Sequence, residues 1–115
     1  MLPRQRRVSR VLFDTVLKQS RLTSSDFFTL RLHSSLEKFP ARIGVSVSKK
    51  VSPLAVKRNL IKRRVNSIVQ KKENELRDSI IVVLFPKKSI LDLSFSDLEK
   101  EVVFILRKSG ALRDM

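Results

Sequence analysis

The sequence predicts a small α+β or α/β fold, a sandwich of helices on one sheet, and three observations carry the prediction. Apolar residues recur at helical spacing in three segments, they alternate or run continuously in three others, and the two kinds of segment interleave. With 115 residues there is room for a single hydrophobic core. No internal repeat, low-complexity tract or Gly/Ser linker divides the chain, so one domain over residues 1–115 is expected.

Ser9 is suited to cap a short helix running to about Lys18, with Val8, Val11, Leu12 and Val16 as its core stripe. Phe13 and Leu17 lie one turn apart on another face, and helical geometry allows them either to widen that stripe or to face elsewhere. Residues 27–33 alternate, placing Phe28, Leu30 and Leu32 on one face and Phe27, Thr29, Arg31 and His33 on the other. Residues 42–48 repeat the arrangement, with Ile43, Val45 and Val47 inward and Gly44, Ser46 and Ser48 outward. The connection over residues 35–40 predicts that these two strands pair antiparallel. A third strand, 80–85, is apolar throughout, as a strand covered on both faces must be.

The longest helix falls between the second and third strands. Ser52 is its expected N-cap, Pro53 occupies a first position where the missing N–H costs nothing, and Val51 and Val56 are spaced as a hydrophobic staple. The last helix is expected to open with Ser96 and Glu99 as a capping box, to turn Leu98, Val102 and Ile105 inward, and to stop at Gly110.

Composition narrows the partner. The 25 Lys and Arg against 11 Asp and Glu give a formal net charge of +14, which points to a polyanion. The charge is a patch: residues 1–72 hold 18 basic and 3 acidic side chains, residues 73–115 hold 7 and 8. The absence of cysteine excludes disulfides, thiolate metal sites and a cysteine nucleophile, and a single histidine leaves little for transition metals. No stretch approaches the roughly 20 apolar residues of a membrane span. The start with Arg4, Arg6 and Arg7 has no apolar run after it, so a cytoplasmic protein without a membrane partner is expected.

Residues 49–72 contain nine basic residues and no acidic one. At about 100° per residue, Leu54, Ile61, Val65 and Ile68 share one narrow stripe, while Asn59, Lys62, Arg63 and Asn66 share a separate face bordered by Arg58. Such a face suits RNA, since Lys and Arg neutralise phosphates, Arg grips them bidentately, and Asn donates to and accepts from sugars or bases. An ordinary solvated helix face intersperses both signs, so an uncompensated run of this length favours a partner. The outward strand face adds Phe27, Arg31 and His33 near Gly44 and Ser46, a mixture of stacking, charged and close-approach positions that suits single-stranded nucleic acid. His33 alone is more often an ordinary surface residue.

The run Arg42-Ile43-Gly44-Val45-Ser46-Val47-Ser48-Lys49-Lys50-Val51, followed by Ala55-Val56-Lys57-Arg58-Asn59-Leu60-Ile61-Lys62-Arg63-Arg64, resembles the signature of the bacterial ribonuclease P protein family. In that family a strand ending in Ser-Lys-Lys leads into a helix with an Arg-Asn-Arg-x-x-Lys-Arg type motif. Weaker similarity covers the Leu2-Pro3 start, the N-terminal helix with Phe13, and the last helix before a basic tail. The resemblance implies the element order αβββαβα, with the motif helix in a left-handed βαβ crossover, against the general right-handed rule.

The resemblance also implies the activity. The family's protein is the accessory subunit of a ribonucleoprotein endoribonuclease that removes the 5′ leader from precursor tRNA. The RNA subunit and its magnesium ions hydrolyse the phosphodiester. The protein supplies no catalytic residue and no metal or cofactor site, although the holoenzyme requires Mg2+. Its implied partners are the catalytic RNA and precursor tRNA, without an obligate protein partner. By position, Lys49, Lys50, Lys57, Arg58, Asn59, Lys62, Arg63, Arg64 and Asn66 would contact RNA. Phe13, Leu17, Phe27, Thr29, Arg31 and Ser46 would form the leader-binding cleft. Three departures stand out: Ser52-Pro53-Leu54 replaces the usual Gly-Asn with one residue more, Leu60 stands where a second Arg is common, and Leu17 and Arg31 occupy positions that are often aromatic.

Other classes fit less well. A structural RNA-binding protein of ribosomal type would share the charge but has no reason to reproduce the motif of residues 49–64. A self-sufficient nuclease would need converging carboxylates or a histidine base. The acids instead cluster at Glu73, Glu75 and Asp78 and around a helix start at Asp97, Glu99 and Glu101, where the dipole favours them. A membrane-surface helix would need a broad aromatic face that the basic helix lacks.

Overall fold

The computed structural model describes residues 6–113, so the Leu2-Pro3 start and Arg4 lie outside the described residues. Along the chain come α1 (Arg10–Lys18), β1 (Arg21–Ser24), β2 (Phe28–Ser34), β3 (Arg42–Val45), α2 (Ala55–Lys71), β4 (Ile80–Pro86) and α3 (Phe95–Lys108). Short 3-10 turns, Glu73–Glu75 and Lys88–Asp92, follow α2 and precede α3. The four strands form one sheet in the order β1-β2-β4-β3, giving the α+β architecture αβββαβα.

The arrangement follows from β4. Its Ile-Ile-Val-Val-Leu run favours extended backbone and has no polar side chain to offer solvent, so it takes a central place covered on both faces. On one face Val82 and Leu84 join Phe28, Leu30 and Leu32 of β2 beneath Ile61, Val65, Ile68 and Val69 of α2 and Leu98, Val102, Ile105 and Leu106 of α3. On the other face Ile81 and Val83 pack against Val16 of α1, with Leu12, Phe13 and Phe85 half-buried around them. Each fully buried aliphatic side chain contributes about 1.5–3 kcal/mol relative to exposure.

The central place of β4 overturns the expected pairing of 27–33 with 42–48. β2 runs antiparallel to β4, with Leu30 opposite Leu84, and β3 runs parallel to β4 on its other side, with Ile43 beside Val82. The two half-polar strands are separated because the wholly apolar strand gains most from a neighbour on each side. The parallel pair then requires a crossover, and α2 supplies it. β3 also ends at Val45, earlier than expected, although the Ser46 amide still donates to the Leu84 carbonyl at 2.9 Å. β1 carries no alternating apolar pattern and is formed by its pairing with β2. The turn between them is closed by Ser25, whose Oγ accepts from the amides of Phe27 and Phe28.

The helix ends differ in detail from expectation. α1 is capped by Ser9, which accepts from the Leu12 amide, but Val11 is 74% exposed because it stands off the i, i+4, i+8 line of Val8, Leu12 and Val16. α2 begins at Ala55 with Leu54 as N-cap and no side-chain cap. Ser52 is buried and accepts from the Leu54 amide at 3.3 Å, so it builds the turn before the helix. Val56 is 83% exposed and makes no staple with buried Val51, and Leu54, 64% exposed, leaves the core stripe to Val69. α3 is capped by Ser94, which accepts from the Asp97 amide at 3.1 Å, and Glu99 pairs with Lys71 at 3.4 Å instead of closing a capping box. Ser94 and Ser96 both have the capping spacing, and the 3-10 turn ending at Asp92 brings the backbone into helix two residues sooner. Gly110 ends α3 as expected: at φ 82° it lets the Ala111 amide reach the Leu106 carbonyl and the Gly110 amide that of Arg107.

Ser94→Ala is expected to lower the unfolding free energy in urea by about 1 kcal/mol, whereas Ser96→Ala stays within about 0.5 kcal/mol. Equal losses would return the cap to Ser96.

Candidate nucleic-acid interface

α2 presents its charge as its packing dictates. With Ile61, Val65, Ile68 and Val69 held in the core, Asn59, Lys62, Arg63 and Arg64 are exposed and Asn66 is half-buried beside them. Lys49 and Lys50 are exposed in the turn after β3, whose Ser48 carbonyl accepts from the Val51 amide. Lys57 is exposed in the first turn of the helix. Arg58 behaves differently: it is half-buried, and its guanidinium donates to the Ser52 carbonyl at 2.9 Å. It therefore fastens the turn to the helix while leaving its other donors available. No acidic side chain lies on α2 to oppose this charge. Lys71 and Lys72 at its end are engaged by Glu99 and Glu75.

A second surface lies on the sheet face under α1. Cross-strand register sets Thr29 opposite Phe85, and the parallel partner strand brings Ser46 alongside it. The Phe13 ring of α1 tilts over Phe85 with centroids 6.1 Å apart, so Phe13 is half-buried and its remaining edge faces the opening. Phe13, Thr29 and Ser46 thus meet around Phe85, a residue that in the sequence is simply the end of an apolar strand. Alternation along β4 from Ile81 through Val83 to Phe85 was the available signal.

The remaining cleft candidates are dispersed. Leu17 is exposed on α1. Arg31 shares the face but donates toward Ser20 Oγ at 3.4 Å, at the connection between α1 and β1. Phe27 precedes β2 and packs against the larger core on the α2 and α3 side, so it does not join the floor beneath Phe13. His33 contacts the Gln19 carbonyl through Nδ1 at 2.7 Å and braces the end of α1 against β2. At Gly44 the close approach is made by the chain itself: an added Cβ would come within 3.3 Å of Val8.

Among the described residues, several of the carboxylates are taken up by ion pairs. Among the described residues no three acidic or histidine side chains converge, and Glu73, Glu75, Asp78 and Glu99 each face a cation, namely Arg6, Lys72, Arg113 and Lys71.

A strand leading to a Lys-Lys turn, then a helix whose exposed face carries basic residues and no acidic one, is the arrangement on which comparison with known proteins bears. The family model described as Ribonuclease P matches residues 2–110. The chain belongs to the ribonuclease P protein family. Among its relatives, the ribonuclease P protein component of Finegoldia magna is 34% identical over 98 residues, spanning 85% of this chain and 84% of that protein. That of Streptococcus pneumoniae serotype 4 is 30% identical over 103 residues, spanning 89% and 81%. The Staphylococcus aureus RNase P protein structure superposes with a TM-score of 0.85 at 19% identity, covering 96% of this chain and 100% of the other. The Thermotoga maritima RNase P protein gives 0.73 at 19%, covering 84% and 89%. The fold is thus shared at low identity. Membership of the family sets this chain among the protein components of a ribonucleoprotein endoribonuclease.

Two of the chain's departures from the ribonuclease P protein motif acquire a physical account. The longer Ser52-Pro53-Leu54 turn is held by buried Ser52 and by Arg58, which closes it from the helix side. Leu60 is half-buried and lines a small depression with Ile90, Leu91, Phe95 and Leu98, flanked by Lys57 and Arg64, so it packs α2 toward the start of α3 where an Arg would reach outward.

Arg58→Ala is expected to cost about 0.5–1.5 kcal/mol of stability through the lost bond to Ser52, and Lys62→Ala less than about 0.5 kcal/mol. Urea unfolding of the two variants checks the difference.

Proposed function

We propose that the protein binds the ribonuclease P RNA through the basic face of α2 and the Lys49-Lys50 turn, and holds the 5′ leader of precursor tRNA beneath α1. The observation that carries this reading is the uncompensated face of Asn59, Lys62, Arg63 and Asn66, anchored by the core stripe on the opposite side of the same helix. Such a face neutralises phosphates and releases counterions, and Arg63 adds bidentate geometry. The cleft suits a single strand because Phe13 and Phe85 offer ring surface for stacking while Thr29 and Ser46 offer hydroxyls.

The two surfaces are continuous. From Ser46, just past the end of β3, the chain passes to Lys49 and Lys50 and on to α2, so a leader held under α1 emerges toward the surface that grips the catalytic RNA. In this reading the protein positions both RNAs, and the RNA subunit with its own Mg2+ hydrolyses the phosphodiester to give the mature 5′ end of the tRNA. Orientation of this kind lowers the barrier without a protein catalytic group.

The deciding assay mixes protein and ribonuclease P RNA with a 5′-extended precursor tRNA at low magnesium, each component alone serving as control. Cleavage at the mature 5′ end should be far faster with both present. Tight binding with unchanged cleavage would favour a structural RNA-binding role of ribosomal type. Lys62→Ala should reduce the salt dependence of RNA binding by roughly one contact, at most a modest change at any single salt concentration. Phe13→Ala should weaken binding of leader-bearing precursor while leaving assembly with the RNA subunit unchanged, and equal losses in both would place Phe13 outside the leader site.

A further inference from the structure

A second basic surface lies at the sheet edge opposite α2. A groove of about 680 Å3 is walled by Arg21 and Leu22 of β1, by Arg77, and by Arg107 and Lys108 at the end of α3. Four cations reach it, and among the described residues no Asp or Glu lines it. The dipole of α3 accounts for Arg107 and Lys108 at its C-terminal end. It does not account for Arg21 and Arg77, which come from an edge strand and from the segment leading into β4.

The cations are built in. Arg21 donates to the Ser109 carbonyl and Lys108 to the Ser24 carbonyl, bonds that join β1 to α3 and fix both charges at the groove without neutralising them. Arg107 is exposed and has no ion-pair partner among the described residues. The groove thus concentrates positive charge, with Arg107 and Lys108 drawn from a half of the chain that holds 7 basic and 8 acidic side chains in all.

We infer that the groove binds the phosphodiester backbone of an RNA segment distinct from the one held by α2, an inference that rests on the RNA-binding function proposed above. No aromatic ring lines the groove, so contact there is with phosphate and independent of base sequence. β1 and β3 are opposite edges of a four-stranded sheet, roughly 14 Å apart at about 4.8 Å per strand. α3 packs over β1 and β2 between the groove and α2. A backbone gripped along α2 must leave that helix and pass round α3 to reach the groove. The phosphates come from a second part of the catalytic RNA or from the precursor tRNA.

The chain has no cysteine, so a single introduced thiol is a unique attachment point for an iron-EDTA cleavage reagent. Leu22→Cys, at an exposed groove position, and Asn59→Cys, on the α2 face, would each be assembled with the ribonuclease P RNA and a 5′-extended precursor tRNA. Position 22 should cut nucleotides separate from those cut from position 59, and the RNA that is cut identifies the source of the phosphates. Arg107→Ala should flatten the salt dependence of binding to that RNA by roughly one contact without moving the urea midpoint. Cuts from position 59 but none from position 22, with an unchanged Arg107→Ala slope, would overturn the inference and leave the groove to an acidic protein segment. Coincident cuts from both positions would also overturn it, since one segment would then span both surfaces. Absence of cuts from either position, with no binding by the unmodified protein, would instead remove the RNA-binding reading itself.

Discussion

Burial of β4 on both faces is the constraint from which the rest of the structure follows. Its five consecutive buried aliphatic residues require cover above and below, and α2 with α3 on one side and α1 on the other supply it. Three helices cannot lie on one face of a sheet this narrow, so α1 is set against the face that the other two leave open. That division leaves α1 covering Ile81 and Val83 with Phe85 only half-covered by Phe13.

The same constraint orients the charge. α2 crosses from β3 to the central strand, and its apolar stripe is held by the core with little rotational freedom. A helix so anchored shows its basic face in one direction only. The stiffness matters for recognition, since side chains on a rigid element lose less freedom when they bind than side chains on a loop. Acidic residues are excluded from α2 and gathered just after it, where Glu73 and Glu75 meet Arg6 and Lys72. The core is therefore responsible for where the charge points, and the sequence for how much of it there is.

Several cations serve the fold as well as the surface. Arg58 closes the turn before α2, Lys87 reaches the Ser25 carbonyl at 2.6 Å in the first hairpin, and Arg21 and Lys108 tie that hairpin to α3. In each case a guanidinium or ammonium donates to a backbone carbonyl that has no strand or helix partner, and a donor with several N–H groups keeps some for a ligand. A chain rich in Lys and Arg can in this way stabilise short, irregular connections with the residues it uses for binding. Truncating such a residue therefore disturbs the fold as well as the surface charge, whereas Lys62 and Arg107 are exposed and make no such bond among the described residues.

The sequence by itself determined the fold class, the inward residues of β2, β4 and α3, the Ser9 and Gly110 boundaries, and the basic face of α2, because each rests on local periodicity or on a cap contained within a few residues. The motif of residues 42–64 was legible for the same reason. Tertiary structure alone decided that β4 would separate β2 from β3, since strand order depends on which strand gains most from two covered faces and not on which strands are adjacent in the chain. It decided that the four residues of β1 would form an edge strand, because their hydrogen bonds come from β2 and not from any pattern of their own. It also sorted the cleft candidates, drawing Phe85 in beside Phe13, Thr29 and Ser46 and sending Phe27 to the larger core. Which side chains meet across a sheet is set by register between distant strands, and register is a property of the packed core.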